Sequence, residues 1–303
     1  MDSSAWCPRS HHALISCGEI VYLVGGFNGE NEALNDVWVS TDYGASWECV
    51  LENRFLLDDE KRFYGRGYLH GFAKPNGDLV LVGGTDLVET FNDTWLSSDG
   101  GKSWTCQRRN EALRSGLFSS SSGSSTMWCG RYGSWFATNA TKSIVVVGGG
   151  ASLSGSCFSD AYVSFDWGLT WVRLAKKMWK RGIVHAQAAI CGATLFVIGG
   201  TPFSTCHDGS MFTSDTSSGL NQYFSATIPD GGAMKGATSF NRVVGDQWGR
   251  YEGAALNRSE SEVILINGLS RGEEEIEEGK GVDYDDDNDD ECRAVAVYRM
   301  NNS

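Results

Sequence analysis

Four apolar runs punctuate the chain, and each stops on paired glycines. They are EIVYLVGG ending at Gly25-Gly26, DLVLVGG at Gly83-Gly84, SIVVVGGG at Gly148-Gly149 and TLFVIGG at Gly199-Gly200. A weaker fifth copy, EVILING, ends at Asn267-Gly268. Runs this short and this rich in Val, Ile and Leu predict strands covered on both faces. About 16 to 18 residues before each pair stands an aromatic followed by an arginine: WCPR at Arg9, FYGR at Arg66, WCGR at Arg131, WKR at Arg181 and WGR at Arg250. A strand of small residues and a turn (SCGE, KPNGD, TNATK, ICGA) fill the interval. Beyond the glycines comes a variable loop, then an Asp and an aromatic: Asp36/Trp38, Asp93/Trp95, Asp160/Tyr162 and, more loosely, Asp208/Phe212.

One unit therefore reads as four strands, and no segment sustains the 3.6-residue period of a helix. A repeat of roughly 50 to 70 residues is the size of a four-stranded propeller blade. The expected fold is all-β: a single β-propeller domain over residues 1–303, with blades near 9–55, 64–110, 128–176, 180–230 and 248–300. The last blade is incomplete, and a sixth would follow if the chain is a piece of a longer protein. The Ser-rich stretch 116–128 reads as an excursion between the second and third blades.

Composition adjusts this picture in three places. The 38 acids outnumber the 25 Lys and Arg, for a net charge of −13. Residues 273–291 hold 12 of those acids and one Lys, so the rest of the chain carries only 26 acids against 24 bases. The acidity belongs to one segment, VDYDDDNDDE and its approach. It lacks the spacing of an EF-hand and reads as a solvated charge run. No contiguous basic stripe suits nucleic acid, and no apolar stretch is long enough to span a membrane. Nine Cys without CxxC spacing point to neither a disulfide framework nor a zinc site. The opening MDSSAWCPRSHH has no apolar core of a secretory signal, so a cytoplasmic location is expected despite sequons at Asn92, Asn139, Asn257 and Asn301.

The Gly-Gly pair, the third-strand aromatic and the fourth-strand Trp together resemble the kelch-repeat family, as in the central domain of galactose oxidase. Residues 40–47, 97–104 and 164–171 are also similar to the Asp box (BNR repeat) of sialidase-type propellers, S/T-x-D-x-G-x-x-W. That resemblance implies a structural role for Asp42, Asp99 and Asp166, as acceptors of backbone N–H groups across a hairpin. It implies that Trp47, Trp104 and Trp171 pack between blades. The fourth repeat departs from the pattern: its box begins at Thr213–Asp215 but runs two residues long and lacks the Trp.

Carried over from kelch propellers, Arg9, Arg66, Arg131, Arg181 and Arg250 would ring the mouth of the central channel and could hold a carboxylate or phosphate. The competing reading has each Arg bonding carbonyls and stacking on its Trp to fix blade spacing. Tyr251 and Glu252 stand beside Arg250, and Tyr68 and Tyr132 follow their own arginines. His12, His70 and His185 fall three or four residues after theirs and read as inner-strand hydrogen-bonding groups rather than a metal site. The leading function is a non-enzymatic kelch-like scaffold, binding a protein or an anionic ligand through the loop face and channel mouth. The alternative is a carbohydrate-active enzyme, sialidase-like or an epimerase, working through the arginines with Tyr251 and Glu252. No cofactor or metal is expected.

Overall fold

The computed structural model describes residues 6–55, 61–111, 127–139, 143–178, 182–191, 194–202, 222–228, 241–244, 254–259, 262–266 and 297–301. Among these residues there is no helix. The first sheet holds β1 (Arg9–Ser10), β2 (Ala13–Cys17), β3 (Ile20–Asn28), β4 (Ala33–Ser40) and β5 (Glu48–Leu51). The second holds β6 (His70–Ala73), β7 (Leu79–Thr85), β8 (Thr90–Ser97) and β9 (Thr105–Arg108). The third holds β10 (Trp135–Asn139), β11 (Ile144–Gly148), β12 (Ala161–Ser164) and β13 (Val172–Ala175).

Next in the chain come β14 (Ile183–Val184), β15 (Gln187–Cys191), β16 (Thr194–Ile198), β17 (Thr201–Pro202), β18 (Gln222–Thr227) and β19 (Asn241–Val244). Of these, β15, β16, β18 and β19 form the fourth sheet, while β14 pairs with β17. The strands β20 (Ala254–Ser259), β21 (Glu262–Ile266) and β22 (Val297–Asn301) form the fifth. Sheets two to five are antiparallel meanders in chain order, three of them four-stranded, whereas in sheet one both β1 and β2 pair with β3. The second strands are the apolar runs; β7 and β11 are buried at every residue.

Successive sheets meet through their first strands: β2 packs on β6, β10 on β15, and β15 on β20. The core lies between sheets. Ile15, Val24 and Val37 of sheet one share a cluster with Leu79, Leu81 and Trp104 of sheet two. Val80 and Val82, from the other face of β7, join Val145, Val147 and Trp171 of sheet three. Trp104 and Trp171 are each 1% exposed, whereas Trp47 of the first sheet is only half-buried. A fourth-strand Trp thus seals its sheet to the one before it.

Sheets two and three are also joined by a polar contact. His70 Nε2 and Ser134 Oγ share a hydrogen bond of 2.8 Å, and the imidazole stacks on Phe136 with centroids 4.6 Å apart. Burial pushes the His70 pKa down to about 4, from 6.5. The folded state therefore binds a proton less readily than the unfolded chain. Stability from this group is complete above pH 6.5 and is lost as the pH falls toward 4. The shift corresponds to no more than about 3 kcal/mol, since the residue as a whole is only half-buried. Denaturant unfolding at pH 7, 5.5 and 4 should show a steeper acid loss in wild type than in His70→Leu, and parallel curves would place the shift elsewhere.

Candidate functional site

The entry segments of sheets two and four, just before their first strands, cross the glycine pair of the sheet before. Gly26 N–H donates to Arg66 O at 2.8 Å, and Gly150 N–H donates to Ile183 O at 2.7 Å. Both glycines of every described pair have φ between +60° and +102°. A Cβ on Gly25 would sit 2.8 Å from Arg66 O, and one on Gly26 2.9 Å from His12 Cβ. Only glycine fits such a crossing. In the third sheet the pair with this geometry is Gly149-Gly150, one residue later than the run-in Gly148-Gly149 expected from sequence; Gly148 is still part of β11.

The arginines turn into the sheets. Arg9 donates from Nη1 and Nη2 to Asp36 at 2.7 and 2.8 Å, to Gly25 O at 3.0 Å and from Nε to Cys7 O at 3.2 Å. Arg66 repeats the arrangement with Asp93 at 2.6 and 3.1 Å, Gly83 O and Tyr64 O. The second carboxylate oxygen also accepts an indole N–H, from Trp38 in one sheet and Trp95 in the next. Aromatic faces enclose the guanidinium, with Phe91 4.0 Å from Arg66 Cζ. Burial opposes the charge on Arg9, yet Asp36 outweighs it and the proton is held more tightly than usual. These guanidiniums are neutralised by a carboxylate of their own sheet, so they are not a free cationic ring. The Asp partner lies 27 residues downstream in both cases.

Sheets three and four depart from this pattern. Arg131 reaches Asp160 through Nη1 alone, at 2.7 Å, and its buried Nη2 has no partner among the described residues. Tyr162 replaces the indole that would complete the pair, and Asp160 is 21% exposed against 5% for Asp93. In the fourth sheet strand register gives the position to Ile183 rather than Arg181. Gln187 pairs with Ile198 as Trp135 pairs with Gly148 and His70 with Val82, and the entry residue four positions earlier is Ile183. The Gly150–Ile183 hydrogen bond agrees with this register. Ile183 is 1% exposed, an apolar plug where sheets one to three hold an ion pair. Arg181, Arg250, Tyr251 and Glu252 lie outside the described residues, as does the acidic run 273–291.

Two positions beyond the arginine the backbone becomes left-handed in every described entry segment: His11 (φ 55°), Tyr68 (φ 53°), Gly133 (φ 60°) and His185 (φ 57°). Tyr68 N–H donates to His11 O and His185 N–H to Gly133 O, each at 2.8 Å. Their rings converge. The His11 and Tyr68 centroids are 3.8 Å apart, and Tyr68 lies 5.6 Å from Tyr132 and 5.7 Å from His185. Tyr132 is buried, its phenol pKa raised first by that burial, whereas His11 is exposed. His12, His70 and His185 are not equivalent to one another; the matching residues are His11, Tyr68, Gly133 and His185. His185 stands four residues beyond Arg181 but only two beyond Ile183, the residue the register places at the entry position.

The remaining polar motifs brace turns. Asp42 accepts from Ser40 Oγ at 2.7 Å, Ser46 N–H at 2.8 Å and Ser46 Oγ at 2.6 Å. Asp99 and Asp166 accept the same three bonds from their own Ser and Ser/Thr neighbours. The Ser46 hydroxyl and amide, then Ser40, hold the Asp42 pKa down to about 2. The indoles of Trp47, Trp104 and Trp171 close each turn by donating to Gly44, Gly101 and Gly168 carbonyls. Sequence reasoning passed over Asn35 and Asn92, which fasten the return connection. Asn92 Nδ2 donates to Glu111 O and Trp128 O, and its Oδ1 accepts from Glu111 N–H. With Asn92 wholly buried and Asn139 9% exposed, these two sequons present no free amide to a glycan.

Residues 8–39 match the Kelch motif, a span that contains Arg9, the Gly25-Gly26 pair, Asp36 and Trp38. The match supports a place in the kelch-repeat family. The dynein alpha chain of the flagellar outer arm of Chlamydomonas reinhardtii is 25% identical over 103 residues, 32% of this chain and 2% of that protein. The tRNA wybutosine-synthesizing protein 2/3/4 of Oryza sativa subsp. japonica is 26% identical over 108 residues, 33% of this chain and 10% of that protein. The chain thus spans a small fraction of either relative.

Removing one member of a buried ion pair strands the other. Arg66→Met should cost about 3–5 kcal/mol in denaturant unfolding. Adding Asp93→Leu should recover part of that loss, because the Gly83 and Tyr64 carbonyls still lack their donor. A well-folded Arg66→Met protein of unchanged stability would contradict the assignment.

Proposed function

We propose that the chain is a non-enzymatic kelch-type β-propeller of five blades that binds a protein partner at the channel mouth and the loops around it. One observation carries this reading. The left-handed position of the entry segment holds His11, Tyr68 and His185 in three sheets, although Gly133 in the other shows that glycine serves the fold. A non-glycine residue there costs roughly 1–2 kcal/mol. Strain kept for the sake of a side chain is characteristic of binding sites. Imidazole and phenol rings that offer faces and polar edges together suit a protein surface.

Closure of the ring is part of the proposal. On β2, Ile15 faces the second sheet, where its Cδ1 lies against Gly71, while Leu14 on the opposite face is 58% exposed. Leu14 and half-buried Trp47 would take the closing blade as Trp104 takes the first sheet. The glycosidase or epimerase alternative draws no support from Arg9, Arg66 and Arg131, each engaged by its own Asp. A cytoplasmic location belongs to the same reading, supported by six described cysteines that are all free.

Tyr68→Gly removes the ring and relieves the backbone, so stability should stay within about 1 kcal/mol of wild type. Partners captured by the wild-type protein in a quantitative pull-down should be lost; undiminished capture would take the mouth out of the contact surface. Closure has its own measure. Leu14→Asp should lower stability by about 1–2 kcal/mol if a blade covers it, and a change within error would mean an open ring.

A further inference from the structure

The loops joining second to third strands in sheets one and two, residues 28–32 and 86–89, stand side by side. Gly67 separates them, exchanging two hydrogen bonds of 2.9 Å with Thr85 while its α-carbon lies against the ring of Phe27. The second loop displays Leu87 at 47% and Val88 at 88% exposure, and Tyr64, next to the Gly65 that lies against Ala33 at the end of the first loop, is 58% exposed. Leu87 is left-handed, with φ 71°. The loop is nonetheless held. Asp86 Oδ1 accepts from Val88 N–H at 2.9 Å and Glu89 N–H at 2.6 Å, and Thr85 Oγ1 accepts from Leu87 N–H and donates to Glu89 O. Backbone strain and exposure to water are both spent on presenting two apolar side chains, which is the preorganisation of an anchor.

Within the two loops the charges have one sign. The two loops, NGENE and DLVE, contain four acids and no Lys or Arg. Glu30, Glu32 and Glu89 are exposed, and two are fixed by amides: Asn28 Nδ2 donates to Glu32 at 2.7 Å and Asn110 Nδ2 to Glu89 at 3.0 Å. We propose that this corner docks a basic segment of a partner protein, one whose apolar side chains cover Leu87 and Val88 while its Lys or Arg groups meet the glutamates and the Tyr64 ring. The inference rests on the binding-module reading above and gives the partner its chemistry. Charge argues against the nearer occupants. The run 273–291, whether from the chain itself or from a second copy, would set 12 acids against these glutamates.

The probe is a short fluorescent peptide alternating Lys and Leu, with Lys/Ser and Glu/Leu peptides as controls, read by anisotropy against salt. The Lys/Leu peptide should bind wild type, with the Lys/Ser peptide about tenfold weaker and the Glu/Leu peptide not binding. Leu87→Asn/Val88→Ser keeps a residue that tolerates the left-handed backbone and should weaken Lys/Leu binding about tenfold. Glu30→Gln/Glu32→Gln should weaken it severalfold at low salt and flatten the salt dependence. Three results overturn the proposal: no Lys/Leu binding, equal binding of the Glu/Leu peptide, or equal affinity of wild type and Leu87→Asn/Val88→Ser. Loss on Tyr68→Gly with no loss in the loop variants overturns it while leaving the channel-mouth reading standing.

Discussion

The crossing of one sheet's glycine pair by the next sheet's entry segment is the constraint on which the rest of this structure depends. Two left-handed glycines turn the second strand away, and their bare α-carbons let a neighbouring backbone approach to hydrogen-bonding distance. The contact fixes how far each sheet stands from the next. It therefore fixes which residues of the two faces meet: Ile15 against Gly71 in one interface, Trp171 against Val82 and Val145 in another. Burial between sheets supplies the bulk of the stabilisation, but the glycine crossing sets its register.

The buried Arg–Asp pair reinforces this crossing without being required by it. In sheets one and two the guanidinium ties the entry segment to a second-strand carbonyl and a third-strand carboxylate, with an indole completing the set. Sheet three keeps half the pair, and sheet four replaces it with Ile183. Such a substitution is physically reasonable. Desolvating two charges offsets much of their attraction, and a packed apolar side chain of suitable volume does comparable work. The pair confers geometric specificity, and an isolated guanidinium at the same place would be strongly unfavourable.

How much of this was legible in the sequence follows from the range of each interaction. The glycine pairs, the strand runs and the Ser-x-Asp-x-Gly-x-x-Trp turns are local, and spacing along the chain displays them directly. The role of the arginines was not, because their partners sit 27 to 29 residues downstream on a different strand. Arg and Asp were each visible as repeated residues, but nothing in either alone says that they touch. Register errors had the same origin. The aromatic-Arg pair at Arg181 resembles the copies before it, while the strand ladder assigns the position to Ile183, so His185 stands two residues beyond the entry residue and not four. Leu87 and Val88 carried no signal, since exposure in a loop cannot be read from residue type.

Sheet four also separates two influences on the left-handed entry position. His185 is left-handed to the same degree as His11 and Tyr68, although no guanidinium among the described residues anchors its segment. The conformation is therefore imposed by the backbone, through Gly150 N–H on Ile183 O and His185 N–H on Gly133 O, and not by the ion pair beneath. Gly133 shows in turn that this backbone accepts a residue with no side chain at all. Neither the strut nor the crossing dictates what projects at these four positions. The fold fixes where the groups stand and is indifferent to which they are, so the choice of two imidazoles and a phenol is answerable to what meets them from outside.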